Sequence, residues 1–324
     1  MKAIVNTAPD QLALLEYPLP VPQAGQVRIR SASVGICATD LEMIAGWTRT
    51  TPPNIPGHEW AGYIDAVGAQ VDPSLVGKKC VAENVLADGG EVGFEHAGAY
   101  GQYFLTETAN LHILPDDFPL ITAALIEPLA VVTRALKRLR LSAHHKVLIS
   151  GDGPIGLITL MYLRQAGVEQ IIMIGGRAGR LNLAGTLGAS ATFNISELGA
   201  DLIPTLKQQV GSNFSCIVEA TGSVHGLENA LQMIGKLGQL LLIGDYRSAR
   251  ANFPWNLLIH GEIEIMGSNA SAGAWHESVR LAVEDKLPLE RLISHTFRVT
   301  DFEDAFALVR SQREDVVKVI LEWI

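Results

Sequence analysis

Short runs of alternating apolar and polar residues, interrupted by glycine and proline, fill the first third of the chain. Val27-Arg28-Ile29-Arg30 and Gly62-Tyr63-Ile64-Asp65-Ala66-Val67 are examples. Their two-residue period predicts half-buried strands of a compact, barrel-like β domain. From about Ile121 the pattern changes to long helical stretches separated by apolar strands, predicted at Lys146–Ser150, Gln170–Ile174, Cys216–Ala220, Gln239–Ile243 and Glu262–Met266. Strand and helix in alternation imply parallel βαβ units. After about Ser268 the pattern predicts a helix over Trp275–Asp285, a short strand at Phe297–Val299, a helix from Phe302 and a last strand over Val316–Leu321. This tail is expected to return to the first domain.

The 324 residues are more than one ordinary core holds, so two domains are expected, and 48% apolar residues supply material for both. The net charge of −9 and the lack of any Lys/Arg-rich run exclude a nucleic-acid or anionic-membrane surface, which needs clustered cations. Neither a signal-peptide core nor an apolar stretch of about 20 residues is present, and a cytoplasmic protein is expected. Three scattered cysteines, Cys37, Cys80 and Cys216, make a poor disulfide framework. Cys80 and Cys216 lie among apolar residues and are expected to be structural.

Two motifs carry chemistry. The first is Gly151-Asp152-Gly153-Pro154-Ile155-Gly156, placed between the strand Lys146–Ser150 and a helix over Ile155–Gln165. Glycine patterns of this kind are common by chance, but between strand and helix they present backbone N–H groups and a helix N-terminus to a pyrophosphate. At the end of the second strand an NAD site usually offers Asp or Glu to the ribose 2′-hydroxyl. Here the sequence reads Ile174-Gly175-Gly176-Arg177, with no carboxylate at that point, room from two glycines and a guanidinium suited to a 2′-phosphate. This favours NADP(H) over NAD(H). Arg180 is a candidate second contact, or else a solvated residue of the following helix.

The second motif is dispersed: Cys37 in Gly35-Ile36-Cys37-Ala38-Thr39-Asp40, His58-Glu59 after Gly57, and Glu127 in Glu127-Pro128-Leu129. Each residue alone is more often structural than catalytic. Together they supply thiolate, imidazole and carboxylate, zinc's usual ligands, and a catalytic zinc keeps one position open. With the glycine loop and Glu219-Ala220-Thr221-Gly222, these motifs resemble the zinc-dependent medium-chain dehydrogenase/reductase family of alcohol, sorbitol and threonine dehydrogenases, over essentially the whole chain. The resemblance implies an α/β protein, with a GroES-like, β-rich catalytic domain over 1–124, a Rossmann doubly wound parallel sheet over 125–268 and a return to the catalytic domain over 269–324. It implies one catalytic zinc held by Cys37 and His58, with Glu59 and Glu127 sharing the remaining protein position. It places Asp40 behind a ligating His, Thr39 as a hydroxyl proton relay, and Gly151, Gly153, Pro154, Ile155, Gly156, Gly175, Gly176, Arg177, Arg180 and Thr221 around the cofactor. Where the family relay often continues to a His, this chain has Glu42, which substitutes for it or is merely solvated. No cysteine lies between Val81 and Tyr100, so the four-Cys structural zinc lobe of many relatives is absent and that segment looks shortened. Trp47, Glu83 and His96 are candidates to line the cleft.

The expected function is hydride transfer between NADP(H) and a secondary alcohol or ketone of a polyol, sugar or related small molecule. The alternatives are a zinc-free quinone or enone reductase of the same superfamily and a non-catalytic NADPH-binding protein. A homodimer or homotetramer is expected, with the strand near Glu262–Met266 as a sheet edge. No nucleic-acid or membrane partner is expected.

Overall fold

The computed structural model describes residues 1–313 and 315–323. They form two compact units, Met1–Glu127 with Ala272–Ile324, and Pro128–Ser271. The expected boundaries were 124/125 and 268/269. Strands β1 (Lys2–Ala8), β2 (Gln11–Glu16), β3 (Gln26–Gly35), β4 (Glu59–Val67), β5 (Lys79–Ala82), β6 (Tyr103–Glu107) and β7 (Leu111–Ile113) belong to the first unit. The second unit holds β8 (Lys146–Ser150), β9 (Gln170–Gly175), β10 (Ala191–Asn194), β11 (Phe214–Glu219), β12 (Ile234–Leu242) and β13 (Glu264–Gly267). The chain then supplies β14 (Ile293–Arg298) and β15 (Lys318–Glu322) to the first unit.

In the first unit β3 is the organising strand. Its Gln26–Arg30 half pairs antiparallel with β6, its Ser33–Gly35 end with β15, and its whole length with β4. The sheet order is β14-β15-β3-β4-β5-β7. Alternation along β3 sends Val27 and Ile29 into a core with Ile4, Trp60, Ile64, Phe104 and Phe306, and Val34, beyond the register shift at Ser31–Ser33, joins the same core. The Trp60 and Phe104 rings meet edge to face at 4.7 Å, and buried Trp60 Nε1–H donates to Asn84 Oδ1 at 3.0 Å, so its one polar atom is satisfied.

The second unit is a six-stranded, fully parallel sheet of order β10-β9-β8-β11-β12-β13. Strand order reverses between β8 and β11, the switch point outside which open α/β sheets bind ligands. The short strand β10 has no counterpart among the expected strands. It is only four residues long, Ala191–Asn194, and one of its side chains, Phe193, is buried. That is too little periodicity to register in the sequence.

The helix Pro154–Gln165 starts directly after β8, with Pro154 at its first position and Gly153 extended (φ −74°, ψ 175°) before it. Gly156 fits this crossing because a Cβ there would stand 1.9 Å from the Gly151 carbonyl oxygen. Gly156→Ala is expected to separate helix from strand at a cost of about 1–3 kcal/mol, measured as a lowered urea midpoint with unchanged slope.

Candidate active site

Cys37 precedes the helix Ala38–Ile44, and Asp40, in that helix's first turn, accepts the Cys37 backbone N–H at 2.9 Å. Asp40 is fully buried and also accepts from Tyr100 Oη–H at 2.9 Å and from His58 Nδ1 at 3.1 Å. Burial pushes its carboxyl up, but the charge and hydrogen bond of His58 and the Cys37 and Tyr100 donors outweigh this and hold it below the usual carboxylate range. An ionised Asp40 only accepts, so His58 Nδ1 donates to it whether or not the ring is charged, and Nε2 is the nitrogen left for a metal once the ring is neutral. The Tyr100 hydroxyl is raised well above its ordinary value by burial and then by Asp40.

Ligand atoms of Cys37, His58 and Glu59 lie within 4.8 Å of one another, the one such group of three among the described residues. Thiolate, imidazole and carboxylate converging at this spacing, with the imidazole tautomer fixed from behind, fit a zinc ion. Glu127, in the first turn of the helix Ile126–Leu136, stands outside that group. It nevertheless feels it: burial, then the Glu59 and Glu91 carboxylates, raise the Glu127 carboxyl to about 7 against the opposing charges of His58 and Lys318. Thr39 is partly buried, with its hydroxyl 3.6 Å from Cys37 Sγ, and Glu42 is partly exposed on the same helix.

Three features were not foreseen from sequence, two in this unit and one in the second. Lys318 Nζ, fully buried, donates to both Glu59 oxygens at 2.8 and 2.6 Å across 259 residues of sequence. Burial alone would lower its ammonium, but Glu59 and then Cys37 outweigh that and raise it. The signal was a lysine inside the apolar strand Val316-Val317-Lys318-Val319-Ile320-Leu321. Gly35 makes room for the pair, since a Cβ there would stand 2.4 Å from Glu59 Oε2. The cysteine-free segment after Val81 is the second feature: Phe94 lies against the His58 ring at 4.8 Å, and Asn84 Nδ2–H donates to the His58 carbonyl at 2.8 Å. Of the cleft candidates, Trp47 meets Phe94 edge to face at 6.4 Å, His96 Nε2 lies 2.9 Å from Asp88, and the Glu83 backbone N–H donates to Asn110 at 3.2 Å.

The second unit places the glycine loop at the end of β8. Gly151 adopts φ +121°, and its N–H donates to the Ile174 carbonyl at 2.9 Å. One expectation is corrected here and one alternative is removed. The end of β9 does have a carboxylate, because Asp152 reaches over from the glycine loop and its Oδ2 accepts the N–H groups of Gly176 at 2.9 Å and Arg177 at 2.8 Å. Sequence proximity hid it, as the acid is some two dozen residues away along the chain. Arg180 is also not solvated: it is 8% exposed, and burial, then Arg177, lower its guanidinium to about 10 against the opposing pull of Asp152. The third feature sequence reasoning missed is therefore Asp152. Thr221 is exposed at the end of β11, where its hydroxyl bonds Glu219 and Ser223, while Gly222 N–H and Tyr246 Oη–H satisfy the other oxygen of buried Glu219.

Two family models match the chain: the alcohol dehydrogenase GroES-like domain over residues 23–116 and the zinc-binding dehydrogenase over 154–284. The chain belongs to the medium-chain dehydrogenase/reductase family. Among family relatives it is 28% identical to D-arabitol-phosphate dehydrogenase of Enterococcus avium over 99% of this chain and 97% of that one. It is 29% identical to galactitol 1-phosphate 5-dehydrogenase of Escherichia coli K12, covering 94% and 95%. A solved alcohol dehydrogenase from E. coli CFT073, complexed with NADH, superposes with a TM-score of 0.94 at 25% identity over 100% of this chain and 99% of that one. No helix among the described residues of this family member is long and apolar enough to cross a membrane.

Removing one member of a fully buried ion pair leaves the other uncompensated. Lys318→Met is expected to destabilise the first unit by about 3–5 kcal/mol, read by denaturant unfolding of metal-free protein. Glu59→Gln with Lys318→Met together should recover a substantial part of that loss, because no buried charge is then left without a partner.

Proposed function

We propose that this protein is a zinc-dependent oxidoreductase that moves hydride between NADP(H) and a secondary alcohol or ketone of a polyol, sugar or related small molecule. The observation that carries this reading is the Cys37–His58–Glu59 group with Asp40 fixing the imidazole from behind. Cys37, His58 and Glu59 would hold the metal, with Glu127 as the neighbouring carboxylate that shares the position. Zinc bound there supplies Lewis acidity toward an alcohol or carbonyl oxygen. Asp40 keeps His58 in the tautomer that presents Nε2, and Lys318 holds the Glu59 carboxylate in place. Thr39, whose hydroxyl lies 3.6 Å from Cys37 Sγ, would take the alcohol proton, with Glu42 on the same helix as the outer acceptor. The substrate class is supported by relatives named as dehydrogenases of D-arabitol phosphate and galactitol 1-phosphate.

For the cofactor, Gly151, Gly153, Pro154, Ile155 and Gly156 would bind the pyrophosphate, Thr221 would line the strand ends, and Gly175, Gly176, Arg177 and Arg180 would form the ribose corner. A guanidinium bonded to a 2′-phosphate contributes about 1.5–3 kcal/mol, roughly ten- to hundredfold in affinity. Arg177→Ala is therefore expected to weaken NADPH by that factor while NADH changes little, by fluorescence titration. Equal losses for both cofactors would remove the argument.

The partners follow from surface. β13 is an edge strand, paired on one side by β12, with Ile265 37% exposed; the adjoining Trp255 and Ile259 are 70% and 68% exposed. An uncovered parallel edge flanked by apolar side chains suits a second copy of this chain across a two-fold axis. Ile259→Glu should shift the sedimenting species from dimer or tetramer to monomer, and a wild-type chain sedimenting as monomer would refute the assembly.

The primary experiment is metal content by mass spectrometry on protein purified without added metal, with turnover on a panel of free and phosphorylated polyols and their ketoses. About one zinc per chain is expected, falling at least severalfold in Cys37→Ser with turnover lost in parallel. Metal-free protein with activity intact would instead place the chain with the zinc-free enone reductases of its superfamily.

A further inference from the structure

The acid of the glycine loop sits where its charge bears on cofactor choice. Beyond Gly175 the β9–β10 ladder ends, and the next two backbone N–H groups, of Gly176 and Arg177, have Asp152 Oδ2 as their acceptor. Asp152 is 7% exposed, and its other oxygen lies 3.8 Å from Arg177 Nη1. The neighbouring residues accommodate it: a Cβ on Gly175 would stand 2.5 Å from the Asp152 side chain. From the other side Ser196 Oγ–H donates to the Gly176 carbonyl at 2.9 Å, so the segment 175–177 is held on both flanks. Arg180 closes the corner, its Nη1 4.0 Å from where a Gly153 Cβ would be. Two guanidiniums and one buried carboxylate therefore share one small volume.

We propose that Asp152 is a positioning and specificity-determining residue, which anchors the segment 175–177 to the glycine loop and by its charge limits the preference for a 2′-phosphorylated cofactor that Arg177 and Arg180 create. The inference rests on the reading that these arginines face the adenosine ribose. Asp152 has two separable roles. As an acceptor it satisfies backbone donors, which Asn also does; as an anion it opposes a dianionic phosphate, which Asn does not. With the carboxylate present the corner tolerates an unphosphorylated ribose, and without it the two arginines act on phosphate unopposed.

The test is titration of NADPH and NADH by fluorescence on the purified full-length chain, wild type beside Asp152→Asn and Asp152→Ala. Asp152→Asn should shift the NADPH-to-NADH affinity ratio toward NADPH by about five- to tenfold, with NADH affinity changed less than about twofold. Asp152→Ala should weaken both cofactors by about tenfold or more, because the segment loses its anchor. Asp152→Ser keeps a short acceptor without the charge, and should shift the ratio in the Asn direction whatever the fold of the Ala variant. An unmoved ratio in both Asn and Ser variants overturns the proposal, as does an Ala variant that binds both cofactors like wild type. The wild-type ratio separately reads the NADP(H) assignment: a wild type without preference for NADPH removes that assignment, while a ratio still shifted in Asp152→Asn leaves this proposal standing.

Discussion

The Glu59–Lys318 ion pair is the constraint on which the first unit depends. A carboxylate adjacent to His58 is needed among the candidate ligands, yet Glu59 is 2% exposed and an isolated buried carboxylate neutralises itself. Lys318 supplies the countercharge from the first position of β15, with Gly35 leaving the space for it. Asp40 solves the same problem on the other face of His58, with hydrogen bonds from Cys37, His58 and Tyr100 in place of a lysine. The two acids thus find compensating partners by different means, while burial, with the Glu59 and Glu91 carboxylates, pushes Glu127 up to about 7 against the charges of His58 and Lys318.

The second unit uses the same logic where the glycine loop meets the end of β9. Asp152 satisfies two backbone donors and stands among two arginines, while Glu219 at the end of β11 is saturated by Thr221, Gly222 and Tyr246. Both acids lie at strand ends beside the switch point, where the ladder stops and backbone donors would otherwise lack partners. Carboxylates there stiffen the loops that a dinucleotide approaches.

Much of this was legible in the sequence. Every strand of the parallel sheet except β10 was foreseen, because fully buried strands read as apolar runs between helices. The order Cys37, His58-Glu59, Glu127 and the glycine loop pointed to the family, since each motif is local in sequence and carries its chemistry in a few residues. What could not be read was long-range: Lys318 on Glu59, Asp152 on Gly176 and Arg177, and Phe94 on His58. Periodicity reports which face of an element is buried, but not which distant polar group meets it there. Arg180 shows the same limit, because a helical arginine after a turn reads as solvated until its neighbours are placed.

The sheet order β14-β15-β3 bears on how the chain is made. β15 pairs with the Ser33–Gly35 end of β3, so the first unit's sheet is completed by a strand that is synthesised after the whole of the second unit. The residues of the second unit are contiguous and available to fold much earlier, and their closure involves shorter loops. Until Lys318 emerges, Glu59 has no ammonium partner, and a nascent chain keeps that carboxylate in water rather than in the core. The unit that begins first in sequence is therefore finished after the second, and synthesis that stops short of residue 318 yields a folded second unit beside a first unit whose sheet lacks β15.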